Sequence, residues 1–118
     1  MKKSLHILAD LYDCRGEQKY FIEKSAVRDR ILRTVKKAGF QIVASRFHKF
    51  GDGGITGVII VSESHITIHT WPEKTFVNVD VFFCNYTSDN SKKARAVFNY
   101  FKRLYKPKRT NRKEVWRD

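Results

Sequence analysis

The chain has 118 residues and a mass of 13.9 kDa, which is enough for one compact domain and too little for two. Hydrophobic residues make up 42% of the chain and aromatic residues 14%, so the composition excludes a disordered protein. The longest strictly apolar run, residues 58–61, is far shorter than the roughly 20 residues that a membrane-spanning helix needs. Two cysteines, Cys14 and Cys84, are too few for a disulfide scaffold and fit a reducing compartment. The sequence therefore predicts a soluble cytoplasmic domain.

The net charge of +12 is concentrated at the C-terminal end of the chain. Residues 92–118 carry eleven lysines and arginines against Glu114 and Asp118, so the excess lies in the last predicted helix and in a basic tail, residues 106–118. Such a tail usually favours solubility or loose attraction to polyanions. A nucleic-acid-binding module that uses this helix and tail is an alternative of a different class, and the nearly balanced charge of residues 1–91 disfavours it.

Hydrophobic periodicity predicts the element order strand, helix, four strands, helix and tail. The first strand contains the alternating Leu5, Ile7, Ala9 and Leu11; the later segments are a helix over residues 22–38, strands over 40–50, 55–61, 65–70 and 76–84, and a helix over 89–105. Ser88 or Asp89 is the expected cap of the last helix, and Pro107 stops it. Two helices with one apolar stripe each and five strands predict an α/β fold. The expected architecture is a two-layer sandwich in which both helices cover one face of a mainly antiparallel sheet.

The sheet face that the helices leave uncovered is the predicted place for a subunit interface or an active site. In the last predicted strand, Val77, Val79, Val81 and Phe83 point one way, and Asn78, Asp80, Phe82 and Cys84 point the other way. The second set mixes polar, apolar and reactive side chains. Such a mixture is typical of a surface that binds a substrate or a second subunit.

The densest run of reactive side chains is residues 63–73, with Cys84 on the next strand. A metal site would need His65 and His69 on one ion, but four residues of strand separate them by roughly 13 Å, whereas zinc needs each nitrogen at about 2 Å. A serine hydrolase built on Ser64 lacks the flanking glycines of a nucleophile elbow. A third interpretation makes both histidines and the cysteine ordinary residues of half-buried strands.

Four segments of the chain, in this order and at this spacing, closely resemble the prokaryotic S-adenosylmethionine decarboxylase proenzymes. They are Phe47-His48-Lys49-Phe50, Gly54-Ile55-Thr56-Gly57-Val58, Ser62-Glu63-Ser64-His65 with His69-Thr70-Trp71-Pro72-Glu73, and Val79-Asp80-Val81-Phe82-Phe83-Cys84. Residues 6–14 are similar to that family's first strand, so the resemblance covers about residues 4–104. It implies a decarboxylase-like domain over residues 1–105 and self-cleavage between residues 63 and 64.

The resemblance implies a self-processing, pyruvoyl-dependent decarboxylase that supplies the aminopropyl donor for spermidine biosynthesis. The Ser64 hydroxyl attacks the carbonyl of Glu63, β-elimination opens the resulting ester, and hydrolysis leaves a pyruvoyl group at the new N-terminus. Residues 1–63 then form the β chain and residues 64–118 the α chain. The pyruvoyl group formed from Ser64 holds the substrate amine as a Schiff base and acts as an electron sink, so no metal or diffusible cofactor is required.

The family's other functional residues match five positions of this chain. His69 matches the proton acceptor of processing, and Thr56 stands where the family more commonly has a serine that assists processing. Cys84 matches the proton donor to the substrate carbon after decarboxylation. Glu73 matches the acid that holds the ribose hydroxyls, and Phe50 matches the ring that stacks on adenine.

The retained Phe50 and Glu73 favour S-adenosylmethionine as substrate. The alternative is arginine or ornithine, on which other pyruvoyl-dependent decarboxylases of the same fold act. The chain departs from the family pattern at Asp10, where glutamate is common, at Phe83, where a small polar residue is usual, and at Asn85, where glycine is common. The shortened acid at Asp10 and the larger ring of Phe83 near Cys84 are expected to reshape the pocket. The resemblance further implies a homodimer of processed αβ units. The short apolar runs predict no membrane partner, and the charge distribution disfavours nucleic acid as a partner.

Regular alternation along the strand places Ser64 and His69 on opposite faces of the sheet. A bond that cleaves itself needs a strained or bent backbone. We therefore expect strand geometry to break at residues 63–64.

Overall fold

One antiparallel sheet of six strands forms the larger layer in the computed structural model, which describes residues 3–85 and 88–118. The strands are β1 (Ser4–Tyr12), β2 (Gln41–Lys49), β3 (Ile55–Ser62), β4 (Ser64–Trp71), β5 (Phe76–Phe83) and β6 (Arg109–Arg117), in the order β2-β3-β4-β5-β1-β6. The helices are α1 (Lys19–Ile22), α2 (Lys24–Lys37) and α3 (Ser91–Tyr105), and a 3-10 turn spans Pro72–Lys74. The predicted α/β sandwich with a mainly antiparallel sheet is confirmed.

The core lies between the sheet and the two long helices. Its fully buried side chains include Leu5, Ile7 and Leu11 of β1, Ile66 and Ile68 of β4, Val77 and Val81 of β5, Val27, Ile31 and Val35 of α2, and Phe98 and Phe101 of α3. The strand residues alternate with half-buried neighbours, because successive side chains of a strand point to opposite faces. Burial of each large apolar side chain contributes about 1.5–3 kcal/mol to the free energy of unfolding. The helices therefore pack against the sheet face that carries these side chains.

The antiparallel register aligns rows of side chains across the uncovered face. The His65 row consists of Ile60, His65, Phe82, His6 and Val115. The His69 row consists of Thr56, His69, Asn78, Asp10 and Asn111. His65 and His69 are four positions apart in β4. The two rows therefore cross the sheet roughly 13 Å from each other, measured along the strands. Asn78, Asp80 and Phe82 lie on this face as predicted, and their side chains are half-buried.

The helical boundaries differ from the predicted ones by a few residues. The helix expected over 22–38 is α2, which begins two residues later, because the extended backbone of Glu23 (φ −102°, ψ 108°) separates it from the short helix α1. In α3, Asp89 accepts a hydrogen bond from the Ser91 N–H (2.9 Å), whereas Asn90 occupies the cap position. Within the described residues, no helix combines the length and apolar character that crossing a membrane requires.

Residues 109–117 form a sixth strand, whereas the sequence predicted five strands and a tail. The strand β6 pairs with β1 along its whole length. Its burial pattern is almost entirely exposed, since it lies at the edge of the sheet. An exposed edge strand needs no alternation of apolar and polar residues. The hydrophobic periodicity of the sequence therefore did not predict it. Removing residues 106–118 would therefore strip an edge strand from the sheet.

The Thr70 side chain connects the end of β4 to the backbone of α1 and β3, and its removal is expected to lower the stability of the fold. Its hydroxyl donates to the Phe21 carbonyl (2.8 Å) and accepts from the Ile55 N–H (2.9 Å), both in the buried core. Thr70→Val keeps the shape and leaves both backbone groups unpaired, so we expect the free energy of unfolding to fall by roughly 1–3 kcal/mol in urea denaturation. The control Thr110→Val, on the exposed edge strand, should change it by less than about 0.5 kcal/mol. Equal effects of the two substitutions would contradict this role.

Candidate active site

Ser64 begins β4 with a strained backbone. Its φ of 116° lies in a region that favours glycine, and no glycine stands there. The predicted break in strand geometry at residues 63–64 is confirmed. The Ser64 hydroxyl oxygen lies 3.2 Å from Nδ1 of His65, within hydrogen-bond distance. The geometry thus leaves a hydroxyl group next to an imidazole nitrogen at a strained backbone position.

Cys84 lies beside the Glu63–Ser64 peptide. The Cys84 N–H donates a hydrogen bond to the Glu63 carbonyl (3.0 Å), and the Asn90 side-chain amide donates to the Cys84 carbonyl (2.9 Å). The Cys84 thiol is free and half-buried. Glu63, Ser64 and Cys84 therefore form one group, which we call the Ser64 cluster.

His69 lies at the other end of β4 with a second group of predicted residues. Its Nδ1 is hydrogen-bonded to the Thr56 hydroxyl (2.5 Å), and its ring centroid lies 5.9 Å from that of Phe50 and 4.4 Å from that of Trp71. Phe50 is 44% exposed, so its ring is accessible to a ligand. Phe50, Thr56 and His69 form the His69 cluster.

A polar chain beside the His69 cluster was not assigned any role from the sequence. The Trp71 indole donates to the Asn78 side-chain oxygen (2.8 Å), and the Asn78 amide donates to the Asp10 carboxylate (2.8 Å). The register places Asn78 directly opposite His69. The alternation of β5 was the signal that could have identified Asn78, because it puts this amide on the uncovered face.

Glu73 lies on the exposed 3-10 turn that follows β4. Its carboxylate forms no hydrogen bond or ion pair with any residue in the described ranges 3–85 and 88–118. A carboxylate of this kind is available to accept hydrogen bonds from a ligand. The structure thus places Glu73 beyond the His69 end of the strand, three residues after Thr70.

The structure does not bring Ser64 and His69 together within one chain. Five residues of extended strand separate them, which corresponds to about 16 Å at 3.3 Å per residue. No proton can pass directly between their side chains over that distance. One chain therefore carries two separate halves of the predicted site, the Ser64 cluster and the His69 cluster.

Two departures from the family pattern have structural roles. Phe83 is buried on the helix-covered face and stacks on Phe40 with ring centroids 3.9 Å apart, so the expectation that it reshapes the pocket is wrong. The physical reason is strand alternation, which turns Phe83 away from the uncovered face. Asn85 is buried, donates to the Lys3 carbonyl (2.8 Å) and accepts from the Asn90 N–H (2.7 Å). It fastens the chain between β5 and α3.

His6 shapes the electrostatics of the uncovered face. Its Nδ1 lies 3.2 Å from the Arg117 guanidinium, and its Nε2 lies 4.0 Å from the Asp80 carboxylate. Burial lowers the pKa of His6 below its ordinary value of 6.5; Asp80 opposes the shift, and Arg117 and His65 add to it. In the part of the chain that the structure describes, no three His, Cys, Asp or Glu side chains are grouped to hold one metal ion.

Comparisons with known proteins point to one family. The family model of S-adenosylmethionine decarboxylase matches residues 5–118. An S-adenosylmethionine decarboxylase proenzyme from Clostridium kluyveri is 51% identical over 82 residues, which are 67% of this chain and 61% of that protein. A proenzyme of the same name from Persephonella marina is 40% identical over 109 residues, 92% of this chain and 77% of that protein. The alignment with the Clostridium kluyveri relative thus spans less than two thirds of that protein's length.

A solved structure shares the whole fold. The crystal structure of the adenosylmethionine decarboxylase from Aquifex aeolicus superimposes with a TM-score of 0.86 at 33% sequence identity. The match covers 98% of this chain and 91% of that chain, so it includes β6. The family resemblance that the motifs predict is confirmed.

The lowered pKa of His6 generates a prediction for stability against pH. The unfolded chain binds a proton on His6 near pH 6.5 and the folded chain only at lower pH, so the unfolded state binds more protons between these values. The free energy of unfolding should therefore fall as the pH drops below about 6.5 and level off below the folded pKa. His6→Asn should flatten this slope in urea denaturation, and His48→Asn, at an exposed position, should keep it. An unchanged slope in His6→Asn would contradict the assignment.

Proposed function

Because the chain belongs to the S-adenosylmethionine decarboxylase family, we propose that it is a self-processing, pyruvoyl-dependent decarboxylase of S-adenosylmethionine. Its product is the aminopropyl donor for spermidine synthesis, made in the cytoplasm. The observation that carries the proposal is the geometry around one peptide bond. Ser64 is strained, its hydroxyl is hydrogen-bonded, and the Glu63 carbonyl accepts a hydrogen bond from the Cys84 N–H.

The Ser64 cluster supports self-cleavage between Glu63 and Ser64. The Cys84 N–H polarises the Glu63 carbonyl and stabilises the negative charge that develops on its oxygen when a nucleophile attacks. The positive φ of Ser64 raises the energy of the intact peptide relative to a cleaved chain. Ser64 is the residue that fits the pyruvoyl group, and that group supplies a carbonyl that accepts electrons during decarboxylation.

The His69 cluster supports the proton transfers of processing. The Thr56 hydroxyl is hydrogen-bonded to Nδ1 of His69, which fixes the orientation of the imidazole. An imidazole titrates near neutral pH and is suited to remove the α-proton of residue 64 in the elimination step. Threonine keeps the hydroxyl of the serine more common in the family, so the substitution preserves this hydrogen bond.

The separation of the two clusters supports a homodimer of processed αβ units. A second copy that packs against the uncovered face with its strands reversed would place its His69 cluster opposite the Ser64 cluster of the first copy. Two-fold symmetry then produces two identical composite sites. The face also exposes apolar side chains that a partner would bury, namely Val58, Ile60 and Val115.

The side chains that remain accessible support S-adenosylmethionine over arginine or ornithine. The exposed ring of Phe50 suits stacking on adenine, which contributes about 1–3 kcal/mol in base stacking on aromatic rings. The Glu73 carboxylate suits hydrogen bonding to the ribose hydroxyls. In an enzyme whose substrate lacks adenosine, Phe50 would have no adenine to stack on and Glu73 would have no ribose hydroxyls to bind. Cys84 is the proposed proton donor to the substrate carbon after carbon dioxide leaves.

Intact mass under denaturing conditions tests processing and turnover. We expect two fragments, residues 1–63 and 64–118, with the second lighter by one ammonia than its serine-started form. Ser64→Ala should stay a single chain because it lacks the nucleophile. Cys84→Ala should be cleaved but should decarboxylate S-adenosylmethionine at least about 100-fold more slowly, measured as labelled carbon dioxide. A Ser64→Ala protein that still decarboxylates would remove the basis of the proposal, and carbon dioxide released from arginine alone would identify the alternative substrate.

Co-expression of two inactive variants tests the composite site. In a homodimer, Ser64→Ala removes the nucleophile of one copy, and His69→Asn removes the imidazole that the other copy contributes. A mixed dimer holds one site with Ser64 and His69 both intact, so the His69→Asn chains should be partly cleaved when both variants are present. Each variant expressed alone is the control and should stay uncut. Absence of cleavage in a purified mixed dimer would contradict the shared site.

A further inference from the structure

The Ser64 hydroxyl has one hydrogen-bond partner among the described residues, and it is not His69. Nδ1 of His65 lies 3.2 Å from the Ser64 hydroxyl oxygen. His69 lies about 16 Å away along the same strand. Its Nδ1 is engaged by Thr56. The group in contact with the nucleophile is therefore the imidazole of the next residue.

The ring of His65 is held in place on the uncovered face. It packs against Phe82 with centroids 5.7 Å apart and an interplanar angle of 64°, and against His6 at 6.3 Å and 81°. Phe82 and His6 belong to the same row across the sheet. Edge-to-face contacts of this kind restrict rotation of the ring, so Nδ1 stays directed at the Ser64 hydroxyl.

Self-cleavage has a chemical requirement that this contact meets. A serine hydroxyl is a weak nucleophile until an adjacent base accepts its proton, and imidazole is the side chain best suited to this near neutral pH. We propose that His65 is the general base of the first step of processing, the attack of Ser64 on Glu63. The inference rests on the proposed function and assigns a separate histidine to each of two proton transfers.

The step conserves atoms and electrons within the chain. His65, with its ring proton on Nε2, accepts the hydroxyl proton of Ser64 at Nδ1 while the Ser64 oxygen forms a bond to the Glu63 carbonyl carbon. The bond between that carbon and the Ser64 nitrogen then breaks, and the nitrogen takes the proton from the imidazolium. The product is an ester between Glu63 and the Ser64 oxygen with a free amine on Ser64, and His65 is neutral again. His69 of the second copy in the proposed homodimer acts afterwards, in the elimination that opens the ester.

The experiment separates the two histidines by trapping the ester. Hydroxylamine cleaves esters but not ordinary peptide bonds, so it cuts only chains that have completed the first step. The full-length chain and its His65→Asn, His69→Asn and His48→Asn variants are purified and incubated with and without hydroxylamine, and intact masses are recorded over time. Asparagine keeps an acceptor near the Nδ1 position but cannot take up a proton at neutral pH.

We expect His65→Asn to stay uncut and to release no fragments with hydroxylamine, because the ester forms about 100- to 10,000-fold more slowly. His69→Asn should release residues 1–63 with hydroxylamine, since it stops after the ester. His48→Asn, which removes an exposed histidine on the same face, should be cut like the parent chain. His65→Ala should regain cleavage when imidazole is added to the buffer, which a merely structural role would not produce.

Two outcomes would overturn the inference alone. One is cleavage of His65→Asn within about twofold of the parent rate, and the other is release of fragments from His65→Asn by hydroxylamine. Thermal unfolding of each variant shows whether it is folded, and the imidazole rescue of His65→Ala decides the matter if His65→Asn is not. A parent chain that never cleaves would overturn the proposed function and this inference together.

Discussion

Strand β4 is hydrogen-bonded on both sides, to β3 and to β5, and this double pairing fixes the positions of Ser64, His65 and His69. A strand paired on both edges cannot bend without breaking two ladders, so the distance from Ser64 to His69 is set by the rise per residue. Thr70 adds a buried anchor at the His69 end through its bonds to Phe21 and Ile55. The rigid strand keeps the two clusters apart, and a shared site between two copies is the arrangement that this constraint favours.

The large positive charge has structural uses on β6. Three arginines of β6 stack on aromatic rings: Arg109 over Tyr12 at 3.8 Å, Arg112 over Phe98 at 4.6 Å and Arg117 over Phe82 at 5.1 Å. Glu114 pairs with both Arg95 and Arg112, and these hydrogen bonds lower the pKa of its carboxylate. Four of the eleven basic residues in 92–118 therefore hold the edge strand against the body of the protein.

Two departures from the family pattern near the site form hydrogen bonds. Thr56, in place of the more common serine, still contacts His69. Asp10, in place of glutamate, accepts a hydrogen bond from Asn78 across the sheet. The hydroxyl of Thr56 and the carboxylate of Asp10 thus each take part in a hydrogen bond on the uncovered face. Phe83 differs in kind, since its ring contributes to the core instead of the site.

The sequence by itself determined the elements whose residues are buried on one side and the motifs that carry the chemistry. Alternation located β1 and β5, and the apolar stripe located α3, because burial on one face imposes a period on the sequence. The motifs around Ser64 and Cys84 identified the family. The tertiary structure alone decided the rest. The strand β6 is almost wholly exposed and is held in place by its pairing with β1. Its sequence therefore shows no alternation of apolar and polar residues from which the strand could be predicted. The contacts of Ser64 with His65 and of Thr56 with His69 depend on ring orientation and strand register, and these are set by packing between segments that are distant in the chain.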